Sequence, residues 1–209
     1  MAGMLGTAVT LIASLALVGC VASRDIEVTV ANGLNLASDY LSTRGPDGQP
    51  RGKHGTHDGV DFAAPAGTEV ISASYGKVLT IHNDKQAGLT ILVEVPGTDY
   101  TIVYAHLSAA GLGGAEFHTK TSDVRKFQEV KPGDRIGVIG DSRRLSRVST
   151  DHVHLSVRVS RGYRADHVNP HQFWYGEPGK VKCFEPGRVY SKKVFGLVAP
   201  LPCEKQPLG

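Results

Sequence analysis

HVHLSVRV, residues 152–159, alternates without a break: Val153, Leu155, Val157 and Val159 fall on one side, His152, His154, Ser156 and Arg158 on the other. A strand with one face in a core and one face free has this pattern. Reading upstream, the runs TEVISAS, GKVLTIHN, LTILVEV, YTIVYAHL and DRIGVIG are also short and β-rich, and turn chemistry such as PAGT, VPGTD and KPGD bounds them. Nothing in this stretch repeats with the period of a helix. The expectation is an all-β fold, an antiparallel sandwich or open barrel, with loop insertions. The chain has 209 residues, 41% of them hydrophobic, enough for one well-buried core and too few for two large domains.

The polar face of 152–159 sets His152 and His154 about 7 Å apart along the strand. That spacing lets one ring bind a metal while its neighbour bonds a water on it, and it also lets both ligate. A second cluster lies in HDGVDFAAP, residues 57–65, where His57 and Asp61 are four positions apart. In extended chain they would stand about 13 Å apart, whereas two ligands of one zinc need donor atoms within roughly 3.5 Å, so the backbone must bend. Asp58-Gly59 is suited to that, since glycine tolerates positive φ and aspartate closes turns. A helix would also join these positions, but the composition and Pro65 disfavour it. A third histidine, His106, ends YTIVYAHLS, where a strand-end side chain reaches the mouth of a site.

Taken together these elements resemble the lysostaphin-type (LytM-like) zinc endopeptidases that cut peptide cross-bridges in peptidoglycan. The resemblance runs from about Ser38 to Trp174 and rests on HDGVDFAAPAGTEVISASYGKV, YAHLS, VKPGDRIGVIG and HVH in the family's order. It implies that one zinc ion is held by His57, Asp61 and His154, and that His106 and His152 are the catalytic pair. It implies a lysostaphin-type fold and a peptidoglycan peptide as substrate. Three protein ligands leave one tetrahedral position for water, and an anionic Asp with two neutral imidazoles gives the site a net charge of +1. Two stretches depart from the family. GDSRRLSRVSTDHVH replaces a short glycine-rich approach with a basic loop containing Arg143, Arg144 and Arg147, and Ala109–Gln128 is a long insertion; both would shape the groove. His54, His82, His118, His167 and His171 match no motif position and are read as surface or loop histidines.

MAGMLGTAVTLIASLALVGC, residues 1–20, carries no charged side chain and is short for a membrane span, so it reads as an export signal. Its end, Leu17-Val18-Gly19-Cys20, resembles the lipobox of bacterial lipoproteins, which makes Cys20 the lipidation site and places the protein on a membrane facing periplasm or cell wall. Val21-Ala22-Ser23 lacks the inner-membrane retention aspartate, favouring an outer membrane. Cys183 and Cys203 then remain as an even pair, and a disulfide between them would contribute roughly 3 kcal/mol in the chain-entropy model. The division is 1–19 signal, 20–36 tether and first strand, 37–176 peptidase domain, and 177–209 extension.

Other classes fare worse. The net charge of +3 is scattered and seldom alternates with aromatics, so nucleic acid is not an expected partner. The half-motifs KPGDRIGVIG and PAGTEVISASYGKV resemble those of biotinyl carriers, but Met1 and Met4 are the only methionines, and none flanks a hairpin lysine. A cupin-like site expects a glutamate soon after His-x-His, and SVRVSRG has none. A silent wall-binding or hydrolase-activating module of the same fold would be marked by lost ligands; all five positions are filled.

Overall fold

Alternation is what the strands use to find each other. The computed structural model describes residues 26–52, 55–84, 87–108, 124–141, 148–160 and 166–203. Twelve strands are formed among them: β1 (Thr29–Val30), β2 (Leu36–Ser38), β3 (Val60–Ala63), β4 (Glu69–Ile71), β5 (Gly76–Asp84), β6 (Gly88–Glu94), β7 (Tyr100–Ser108), β8 (Glu129–Val130), β9 (Arg135–Ile139), β10 (His152–Val159), β11 (His167–Val168) and β12 (Lys180–Val181). The main sheet is antiparallel, in the order β2-β3-β10-β7-β6-β5-β8, with β9 on β7, β4 on β9 and β11 on β10. The Ala109–Gln128 insertion is described only from Val124, and the Arg143, Arg144 and Arg147 loop and Cys20 lie outside the described residues.

The apolar face predicted for residues 152–159 is the core: Val153, Leu155 and Val157 are fully enclosed, with Ile102 and Tyr104 of β7, Ile91 and Val93 of β6 and Phe62 of β3. Each such side chain contributes about 1.5–3 kcal/mol by leaving water. Trp174 meets Phe62 edge-on, ring centroids 6.2 Å apart.

Two features depart from the simple reading. Of IEVTV only β1 is strand, and it pairs in parallel with β12, away from the main sheet. The extension, in turn, is part of the core. Leu197, Ala199 and Leu201 are buried; the Val198 amide donates to the Ala73 carbonyl at 2.9 Å and the Ile71 amide to the Pro200 carbonyl at 2.8 Å. The disulfide Cys183–Cys203 ties this segment, its Cα atoms 5.7 Å apart.

Candidate metal centre

Antiparallel pairing of β3 with β10 sets Asp61 opposite His154 and Ala63 opposite His152, so the aspartate and the second histidine share one face by register. His57 lies just before β3. Its backbone is pinned on both sides: its amide donates to the Ser42 carbonyl at 3.0 Å and its carbonyl accepts from Leu41 at 2.9 Å. Gly59 does permit the bend, though for a different reason than the one expected from sequence. Its φ is not positive; a Cβ there would stand 2.4 Å from the Leu155 carbonyl oxygen and 2.7 Å from the His154 ring. Only a missing side chain lets β3 approach β10 this closely.

The result is a small triangle of donor atoms. His57 Nε2 lies 3.0 Å from His154 Nδ1 and 3.1 Å from Asp61 Oδ1, and His154 Nδ1 lies 3.0 Å from the same oxygen. Donors on a tetrahedral zinc are about 3.3 Å apart, so nitrogen and oxygen atoms at this spacing fit such an ion with little adjustment. His57, Asp58 and His154 also form a looser set, with donor atoms within 4.8 Å. The set with Asp61 is the better one, because Asp61 is buried and faces both rings. Asp58 is half exposed and stands 3.6 Å from Nε2, the far side of the His154 ring.

The electrostatics agree with that choice. Burial alone would raise the Asp61 carboxyl, but the hydrogen bond from His154 and the charges of His154 and His152 beside it outweigh that and hold the group well below the usual carboxylate range. Burial likewise pushes His154 down, and its bond to Asp61 reverses the sign, leaving it raised. The other carboxylate oxygen, Asp61 Oδ2, accepts from Arg51 Nη2 at 3.0 Å, and the same Nη2 donates to Ser38 Oγ at 2.8 Å. Arg51 thus turns the carboxylate so that one oxygen faces the imidazoles.

His106 and His152 lie alongside, ring centroids 4.5 Å apart. His152 Nδ1 meets the Thr150 carbonyl at 2.9 Å, an acceptor only, so Nδ1 carries the proton and Nε2 is left with its lone pair, 3.9 Å from Asp61 Oδ1. Burial is the main cause that lowers His152. His106 reaches the site by a break in the alternation. Strict period two would send it to the core side with Tyr104. Between Leu89↔Leu107 and Ile91↔Tyr104, however, β7 carries one more residue than β6, and His106 takes φ 62° in this bulge. Its ring turns into the groove. Burial first, then the neighbouring charges of His152 and His154, push it down to about 3, and its Nδ1 is enclosed with no hydrogen-bond partner.

A groove of about 1090 Å³ joins these groups, with Thr90, Leu92, Val103 and Ala105 on its floor and Pro46, Asp47, Gln49 and Arg51 along one wall. Of the histidines read as surface or loop groups, His54 and His118 lie outside the described residues, and His82 lines the groove. His167 packs on Asp58, Nε2 to Oδ2 at 3.3 Å. His171 is a correction: it is 1% exposed, enclosed because Trp174 and Asp39 hold both ring nitrogens. Arg51 and Asp39 were not singled out from sequence, since a lone charge in a Gly/Pro-rich loop carries no local signal.

A family model described as Peptidase family M23 matches residues 55–170. Among curated relatives, the Escherichia coli (strain K12) protein named "Uncharacterized lipoprotein YgeR" is 27% identical over 129 residues, 62% of this chain and 43% of that protein. The Vibrio cholerae "Peptidoglycan DD-endopeptidase ShyA" is 33% identical over 103 residues, 49% of this chain and 20% of that one. The chain thus spans less than half the length of these relatives. Among solved structures, the antimicrobial peptidase lysostaphin from Staphylococcus simulans superposes with TM-score 0.56 at 23% identity, covering 75% of this chain and 57% of that one. The catalytic domain of a prophage-encoded M23 protein, EnpA, from Enterococcus faecalis gives 0.51 at 23% identity, covering 72% and 98%. These likenesses are of fold.

Proposed function

The chain belongs to peptidase family M23, and from that premise we propose that it is a zinc-dependent endopeptidase hydrolysing peptide bonds in the stem peptides or cross-links of peptidoglycan. The observation that carries the reading is the triangle of His57, Asp61 and His154 donor atoms, 3.0–3.1 Å on each side, with two further imidazoles on the same groove. Zinc held there supplies Lewis-acid polarisation of the scissile carbonyl and of the attacking water. The chain's own groups do the rest. The groove floor seats an extended peptide. His152, its Nδ1 proton committed to Thr150, takes a proton from the attacking water at Nε2. His106 donates a hydrogen bond to the carbonyl oxygen as charge gathers there. When the C–N bond breaks, the proton held at His152 passes to the departing amine. Arg51 keeps the Asp61 carboxylate turned inward throughout.

The substrate lies outside the cytoplasm, and we place the enzyme there, with 1–19 removed, Cys20 lipidated, 20–36 as tether, 37–176 as the peptidase domain and 177–209 as the extension. The Cys183–Cys203 disulfide and the lipoprotein relative support this. The outer membrane of a two-membraned cell is the favoured site.

The test is mass spectrometry of fragments released from purified peptidoglycan, alongside zinc stoichiometry. Zinc-loaded protein is expected to bind one ion and release peptides with new amino termini, and Asp61→Ala and His154→Ala each to lose both. Full activity in either variant ends the reading. Stoichiometric zinc without fragments would make the protein a wall-binding module instead.

A further inference from the structure

His57 is prepared for the triangle from its outer side. Its Nδ1 lies 2.9 Å from the Asp39 carbonyl oxygen and 3.3 Å from Ser38 Oγ. The carbonyl can only accept. The Ser38 hydroxyl donates to the Arg44 carbonyl at 2.8 Å, so toward His57 it too can only accept. His57 therefore carries its proton on Nδ1 and points a bare lone pair from Nε2 into the triangle.

The Asp39 carbonyl also accepts the Ser42 amide at 3.1 Å, and the residue is tied a second time by a path that starts in the core. Trp174 Nε1 lies 2.8 Å from His171 Nδ1, and an indole N–H has no acceptor role, so His171 Nδ1 must accept. His171 Nε2 then carries the proton and donates to Asp39 Oδ1 at 2.7 Å. That oxygen also accepts the Tyr40 amide at 2.6 Å, which fixes the Asp39 side chain against its own backbone. His171 itself is anchored: its amide meets Asn169 Oδ1 at 2.9 Å, and its carbonyl accepts from Gly179 at 2.8 Å. Every proton along Trp174, His171, Asp39 and His57 is assigned by a partner with one possible role.

We infer that His171 is a positioning residue for the metal centre, acting through Asp39 to fix the tautomer and orientation of His57. The inference rests on the reading of His57, Asp61 and His154 as the zinc site. Outer partners of metal-ligating histidines set ligand geometry and commonly change metal affinity 10- to 100-fold. His171 lies outside the triangle, and its effect passes through the backbone of residue 39.

Two near-isosteric substitutions separate positioning from packing. In His171→Asn the amide reaches Trp174 but not Asp39; in His171→Gln it reaches Asp39 again. Zinc affinity of the full chain, by competition with a chelator, and long-range imidazole ¹H–¹⁵N spectra of the metal-free protein near pH 8 are the readouts. The expected result is a 10- to 100-fold weaker affinity for His171→Asn, with His57 moving from a single Nδ1–H tautomer to a mixture. His171→Gln should recover at least most of both. Equal zinc affinity in wild type and His171→Asn, or equal losses in the two variants, overturns the inference. His57→Ala serves as the control for the site itself. If it keeps stoichiometric zinc, the metal-centre reading has failed, and the tautomer spectra still judge the link from His171 to His57.

Discussion

His57 and His106 line the same groove, and the chain treats them in opposite ways. Both backbones are tied at N–H and C=O, His106 donating to the Ala87 carbonyl at 2.7 Å and accepting from Gly140 at 2.8 Å, so the difference lies in the rings: the Nδ1 proton of His57 is accounted for, and its Nε2 sits 3.0–3.1 Å from two other donor atoms. His106 stands in a bulge at φ 62°, with an enclosed Nδ1 that nothing meets. The first arrangement stabilises one orientation at the cost of freedom. The second carries strain: an unmet polar atom costs about 1–3 kcal/mol and a left-handed non-glycine residue a comparable amount. The contrast teaches how to read imidazoles at such a site. On the function proposed above, a ring wired on its outer side is prepared to hold an ion, whereas a ring left incomplete awaits a group that arrives with the substrate.

The contrast can be broken most directly at the wired ring. His57→Ala should abolish stoichiometric zinc and peptide release together, read by metal analysis and fragment mass spectrometry. His106→Gly should leave zinc in place and lower peptide release about 10²- to 10⁴-fold, the usual span for a lost acid–base group. Its thermal midpoint without metal should exceed that of His106→Ala, which opens a similar cavity but keeps a side chain at φ 62°; a midpoint at or below that of His106→Ala would mean the bulge is not strained.

Acid titration sharpens the same difference. His106 is pushed down to about 3 in the fold from an ordinary 6.5, so between those values the unfolded chain binds the extra proton and stability falls as pH falls. One such proton gives a slope of up to about 1.4 kcal/mol per pH unit. Metal-free His106→Gly should therefore show a shallower acid limb in denaturant melts from pH 6.5 to 4, and an unchanged slope would remove His106 as its source. The smallest effect belongs to Leu41, also at φ 62° and exposed, whose amide bonds the His57 carbonyl. Leu41→Gly should relieve about 1 kcal/mol of steric strain, offset in part by glycine's greater unfolded freedom, for a net change within 1 kcal/mol.

Much of this was legible before any coordinates. The alternation of residues 152–159 gave the strand, its buried face and the two outward histidines, because a sheet that is packed on one side imposes period two. The motif around His57 and Asp61 led to the bend and to the partners that the fold brings together. His106 was placed at the mouth of a site, but not the bulge that turns it there, since an extra residue in one strand shows only against its neighbour's register. Gly59 reads as a hinge in sequence and proves to be a clearance. His171 and Asp39 are far apart along the chain and meet only once β11 has docked on β10, so no local pattern marks them. The run GLVAPL, residues 196–201, falls in the segment read from sequence as an extension, and only its pairing with Ile71 and Ala73 shows that it fills part of the core.

That run has a further consequence. The backbone groups of Ile71 and Ala73 wait for Pro200 and Val198, which are made long after them, so pairing there is deferred until most of the polypeptide has been synthesised.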